Sequence, residues 1–258
     1  MFTDCAGDTA HLDSDCFNRL YRGSALLSST ATDWDAMTTI SDYVGIGLYA
    51  LPDAARLLGV PLNTLRYWSG ETGSSESMVA RRLANERLLT FSELIELHFV
   101  RLFRSKDVSL QAIRKAAVAA SRKFDTKYPF TVKQFDTDGN TIFATLRSRE
   151  TDRVMVEDLQ RGQLVFRELV KPFFKKLDYR ATNEAERFWP MRKSGRVVLD
   201  PLRRFGQPID AETGVPTRSI VSAFRAGGGQ DEKTVAKWFD IPMEAVRAAV
   251  KFEKSLAP

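Results

Sequence analysis

The sequence of 258 residues has only two cysteines and two histidines. Cys5, His11 and Cys16 lie near the start. A structural zinc site usually takes about four ligands at short pair spacings. Three loosely spaced candidates do not make one, so free thiols and no metal or other cofactor are expected. No apolar run approaches the roughly 20 residues that span a bilayer. No basic-then-apolar signal segment opens the chain. A cytoplasmic protein is the expectation, with no membrane partner. The acids Asp136, Asp138, Glu157 and Asp158 are scattered, whereas a nuclease needs carboxylates converging on metal ions. No catalytic residues are assigned. Asp136 and Asp138 do not open a calcium loop either: Gly139 comes two places early and Arg147 stands at the twelfth position. Gly227–Gly229 has neither the preceding strand nor the Gly-Lys-Ser/Thr ending of a phosphate loop, and reads as a helix stop.

Charge is present but unevenly spread. The net charge is +5. Residues 1–36 hold six aspartates against Arg19 and Arg22, a net −4, which leaves +9 for the remainder. The segment is rich in Ser, Thr, Asp and Gly. It predicts a flexible acidic tail, with Met37 an alternative natural start. The basic body suits an anionic partner, of which DNA is the commonest, although a merely solvated surface has the same signature.

One phrase occurs twice. ARLLGVPLNTLRYW (residues 55–68) aligns without a gap on AKWFDIPMEAVRAA (residues 236–249). In the first copy Pro52 opens a helix, where a missing N–H costs nothing. Ala55 is small where two helices cross. Gly59 sits at the turn, where a positive φ is cheap only for glycine. Val60 and Leu65 are the buried anchors. These spacings predict a helix-turn-helix. Its second helix presents Asn63, Thr64, Arg66 and Tyr67, with Asn and Arg suited to base edges and Thr and Tyr to phosphate. Arg81, Arg82 and Arg87 follow in a loop or wing and are candidate phosphate contacts. Phe91, Leu94, Ile95, His98, Phe99, Leu102 and Phe103 then recur at helical spacing, with Thr90 and Ser92 as plausible caps. His98 is expected to be a packed residue. A second helix carries Leu110, Ile113, Ala117 and Ala120 on one face.

TLRYW followed by LLTFSELIELHFVRLFRSKDVSLQAIRKA resembles the winged-helix head of MerR-type regulators over residues 48–125. Leu94, Ile95, Ser109, Leu110 and Ile113 take the places of that family's second helical pair. Asp107–Val108 replaces the usual glycine. No long dimer helix and no cysteine set for metal sensing follow. The resemblance implies a DNA-binding domain over 37–125.

Residues 126–195 read as an α+β connecting region. FTVKQFDTDGNTIFATL predicts a β-hairpin turning at Asp138–Gly139–Asn140. Val154–Val156 predicts a further strand and Leu164–Leu177 a helix.

In residues 196–258, Val197–Leu199 reads as a strand, followed by turn signals at Asp200–Pro201, Gly206–Pro208 and Gly214–Pro216. A helix over Thr217–Arg225 ends at the glycines, and Asp231 caps the next. Asp200, Pro201, Gly206, Pro208, Ile209, Val215, Pro216, Ile220, Val235, Ala236, Phe239, Ile241, Val246, Ala249 and Phe252 resemble the small domain, long of unknown function, found in VapB-like antitoxins. That family's "G-T-R" before "V-P" is Glu212-Thr213-Gly214 here. The resemblance implies an antitoxin that binds a PIN-like ribonuclease toxin and represses its own operon by binding operator DNA. It implies a homodimer or a toxin–antitoxin hetero-oligomer. The alternative is a stand-alone MerR-like regulator with no toxin. Glu244, Ala245 and Ala248 make the second copy poorer in base-reading groups. Arg218, Arg225, Lys237 and Arg247 remain candidates for a secondary DNA contact or a toxin contact. The expected fold is mainly α with a smaller β component: a winged helix-turn-helix, a central α+β segment, and a strand followed by three helices.

Overall fold

The computed structural model describes residues 43–72, 77–83, 87–229 and 231–256. The acidic segment 1–36, with Cys5, His11 and Cys16, lies outside the described residues.

A short strand, β1 (Tyr49–Ala50), leads into α1 (Leu51–Leu58) and α2 (Leu62–Trp68). β1 pairs antiparallel with β2 (Leu88–Leu89) in the register Tyr49↔Leu89 and Ala50↔Leu88. α3 (Phe91–Arg104) starts at Thr90 with a reciprocal cap: Thr90 Oγ1 accepts the Glu93 N–H and the Glu93 carboxylate accepts the Thr90 N–H. Two orphan amides are thereby satisfied. α4 (Leu110–Phe124) is capped by Ser109, whose hydroxyl accepts the Ala112 N–H. Asp107, which replaces the family's glycine, keeps a left-handed backbone with φ 59°. Aspartate tolerates that region better than most side chains.

The predicted hairpin over Phe130–Leu146 is a helix instead. α5 (Lys133–Arg149) runs straight through Asp138–Gly139–Asn140. The physical reason is packing. A Cβ at Gly139 would sit 2.2 Å from Phe166 Cε2, and one at Gly162 would sit 2.5 Å from Phe143 Cε1. Both glycines let helices cross closely, so Gly139 is a contact rather than a turn. The predicted strand at Val154–Val156 is also helical. α6 (Arg153–Val165) begins where Asp152 accepts the Met155 N–H. The predicted helix over Leu164–Leu177 is present to Phe174, running without interruption through the end of α6, a π turn (Phe166–Val170) and α7 (Lys171–Phe174), while Leu177 already belongs to the sheet. Asp138 pairs with Lys123 at 2.7 Å on the surface of α5.

A four-stranded antiparallel sheet follows in the order β3 (Leu177–Tyr179), β4 (Ala185–Phe188), β5 (Val197–Leu199) and β6 (Pro208–Asp210). Its turns are tied by buried carboxylates. Asp200 accepts the Leu202 N–H and Arg187 Nε, and Asp210 holds Arg196 at 2.8 and 3.0 Å and the Thr213 N–H and hydroxyl. α8 (Thr217–Ala226), α9 (Glu232–Phe239) and α10 (Met243–Ser255) complete the chain. As expected, α8 stops at Gly227 and Asp231 caps α9 by accepting the Thr234 N–H.

One apolar core runs from Tyr49 to Leu199 and crosses residue 126 without a break. Its centre is phenylalanine-rich: Phe99 meets Phe173 and Phe174 at centroid distances of 5.0 and 5.1 Å. A smaller core lies between α8, α9 and α10 around Ile220, Val235 and Val246. The architecture is mainly α with a smaller β component.

Candidate nucleic-acid interface

The two copies of the repeated phrase have the same local geometry. Gly59 ends α1 with φ 61° and Asp240 ends α9 with φ 52°. The Val60 N–H reaches Ala55 O at 3.1 Å, and the Ile241 N–H reaches Ala236 O at 2.9 Å. Pro61 and Pro242 cap the second helices with nearly equal backbone angles, φ −58° and −68°. The anchors Leu65 and Val246 are both fully buried.

In the first copy Leu51, Ala54, Ala55 and Leu58 face inward from α1, and Leu65 and Trp68 from α2. Burying these six fixes the rotation of α2. Asn63, Arg66 and Tyr67 are left exposed and Thr64 half-buried. Arg87 stands immediately before β2 with φ 54°. It joins Arg66 on the lining of a shallow concavity with Ala50, Pro52 and Glu71. Residues 21 apart in sequence thus combine helix and wing on one face.

The three wing arginines do not behave alike. Arg82 and Arg87 are exposed. Arg81 turns inward: its guanidinium is 5% exposed, and it donates to Ser69 O and Leu88 O at 2.9 Å each. Glu71 and Glu93 lie 4.0 and 3.8 Å away. Burial pushes the Glu93 carboxyl above its usual range, against the pull of the Arg82 and Thr90 amides and of Arg81. Arg81 therefore ties α2 to the wing strand: both terminal nitrogens donate to carbonyls inside the protein.

In the second copy Lys237 and Arg247 are exposed, and Arg247 Nε donates to Glu232 at 2.6 Å. Arg218 and Arg225 stand apart from them. They line a groove with Arg56, and Arg218 lies 3.5 Å from Asp53. The structure therefore groups Arg218 and Arg225 with the first helix-turn-helix rather than with Lys237 and Arg247. Sequence reasoning missed the residues that join the two units. Arg56 Nη1 donates to Glu253 at 2.7 Å, and Tyr49 Oη donates to Gly206 O at 2.7 Å. Partners 197 and 157 residues apart leave no local signal.

Residues 49–119 match the family described as "MerR HTH family regulatory protein". They form a MerR-type helix-turn-helix domain. The match starts at β1 and ends within α4, so it contains α2 and the wing. The MerR-type domain is one part of a longer similarity. A Mycobacterium tuberculosis protein named "Putative antitoxin VapB45" is 25% identical over 202 residues, covering 70% of this chain and 84% of the relative. The crystal structure of Rv2018 from the same organism superposes with a TM-score of 0.65 at 22% identity, over 80% of this chain and 99% of that one. That likeness shows a shared fold extending well beyond the MerR-type domain. Among the described residues no group of three or more His, Cys, Asp and Glu is placed to hold a metal ion. No helix among them is long and apolar enough to cross a membrane.

Proposed function

We propose that this chain is a non-enzymatic antitoxin of the VapB type, acting in the cytoplasm. It binds operator DNA through the MerR-type domain and silences a PIN-like ribonuclease toxin by direct contact. The observation that carries the DNA half is the exposed set Asn63, Arg66 and Tyr67 on α2, beside Arg87 of the wing. Arg66 and Asn63 suit base edges, and Thr64, Tyr67, Arg82 and Arg87 suit phosphates. Arg81 is given a supporting role, because it is buried and its two terminal nitrogens donate inside the protein. The similarity to VapB45 motivates the toxin half. Residues 196–258 would make the toxin contact or a secondary DNA contact, with Arg218, Arg225, Lys237 and Arg247 as the charged groups. A symmetric dimer reading two half-sites is the assembly such a domain favours.

The test has two arms. Co-expression of the tagged chain with its neighbouring gene should retain a small PIN-like protein at fixed stoichiometry through size exclusion. Fluorescence anisotropy on DNA from upstream of its own gene should show specific binding. Specific DNA binding with no retained protein would favour the stand-alone regulator, for which the match to the MerR family speaks directly.

A further inference from the structure

A cavity of about 390 Å³ opens between α3, the π turn, β4 and the end of α10. Pro172 has no N–H to give the carbonyl four residues back, and the helix widens just before it. The Lys171 N–H reaches Phe166 O, one residue further than in an α-helix. This widened turn places Leu169 and Phe173 on the cavity wall. Phe173 stacks on the His98 ring at 4.3 Å, and Phe188 meets His98 edge-on at 5.5 Å. Leu57 of α1 and Phe252 of α10 close the other side, so the cavity touches both helix-turn-helix units.

Two cationic groups in this largely apolar space are underused. The Arg101 guanidinium lines the cavity and makes no ion pair or hydrogen bond with any described residue. Lys176 Nζ donates to Pro190 O at 2.9 Å and has further N–H groups to give. The His98 imidazole makes ring contacts but no hydrogen bond to a described residue. Burial, then Arg101 and Lys176, push its pKa down to about 3, so at neutral pH it is an uncharged ring with one N–H donor. Burial, Arg101 and Arg192 likewise hold the Lys176 ammonium below its usual range. Glu168 is the only acid on the lining and pairs with neither cation. Two cations beside apolar walls, neither of them ion-paired, are free to take an anion's head group.

We propose that this cavity binds a small organic anion, with a flat apolar body against Phe173 and Phe188 and its head group on Arg101, Lys176 and the His98 N–H. The proposal is independent of whether the chain binds DNA or a toxin. The test is calorimetry on the full chain with 2-naphthoate, benzoate and octanoate, beside 2-naphthylmethanol, which has the naphthoate ring system without the charge. At least one carboxylate should bind saturably at one site per chain, and 2-naphthylmethanol at least tenfold more weakly. Arg101→Met should weaken the carboxylate at least tenfold. Leu169→Trp, which fills the cavity without touching a charge, should abolish it. Failure of all three carboxylates to bind overturns the proposal. So does binding that the alcohol matches or that survives Leu169→Trp, an arm that holds even if Arg101→Met does not fold.

Discussion

Arg56 of α1 and Glu253 of α10 meet at 2.7 Å across 197 residues of sequence. Glu253 is 6% exposed and also accepts the Thr217 hydroxyl at 2.6 Å. One carboxylate thus links the first helix-turn-helix to α8 and α10 of the C-terminal helices. Arg56 is 36% exposed, so solvent screens part of the attraction. An Arg56→Ala, Glu253→Ala double-mutant cycle, followed by urea unfolding, should return a coupling of about 1 kcal/mol. A coupling of zero would mean that the contact does not hold the two units together.

Arginines of the MerR-type domain should separate by experiment. Arg66→Ala should weaken operator binding by about 1–3 kcal/mol, the usual cost of a lost base contact. Arg87→Ala should weaken all sequences alike and reduce the slope of log affinity against log salt by about one. Arg81→Ala should instead lower the melting temperature, because it leaves the carbonyls of Ser69 and Leu88 without their donor. An unchanged melting temperature with a reduced salt slope would give Arg81 back to the DNA.

Gly139→Ala discriminates between helix contact and turn. On an open helix face the change should stabilise by up to about 1 kcal/mol. Here the new methyl meets Phe166 at 2.2 Å. Overpacking should destabilise by about 1–3 kcal/mol. Thermal unfolding reads the sign.

Glu96 is buried on α3, where its Oε1 accepts the amides of Phe130 and Thr131 at 2.6 and 3.1 Å. Burial raises its pKa to about 8, in spite of those two bonds. A folded-state pKa above the unfolded value means that the native state holds the proton more tightly. The associated stability is fully present below the unfolded pKa of about 4.3 and is lost as pH rises through the folded one. Below about pH 6.5 the depressed His98 pKa gives stability the opposite slope, so the wild-type melting temperature should fall between about pH 7 and pH 8. Glu96→Gln, whose amide oxygen can still accept, should flatten that fall. Parallel pH profiles for the two proteins would contradict this account.

The repeated phrase was legible without coordinates because its determinants are local. A residue able to take positive φ, a small residue four places earlier and an apolar anchor five places beyond the apolar turn residue define it. Asp240 meets the first requirement in the second copy as Gly59 does in the first. The caps at Thr90 and Asp231 were legible for the same reason, since each side chain reaches an amide three residues on. Residues 130–156 were misread because their signals depend on distant partners. Gly139 looks like a turn until Phe166 is seen against it, whereas the helix expected from Leu164 is there as far as Phe174. The candidate site divides in the same way. That Asn63, Arg66 and Tyr67 share a helix follows from spacing alone. That Arg81 faces inward while Arg66 and Arg87 share a surface follows from where Glu71, Glu93 and the wing strand come to lie. Local sequence set the helix-turn-helix units, because caps and turns are satisfied within a few residues. Only tertiary structure decided which charges remain for a partner, because buried carboxylates and carbonyls far along the chain claim the others first.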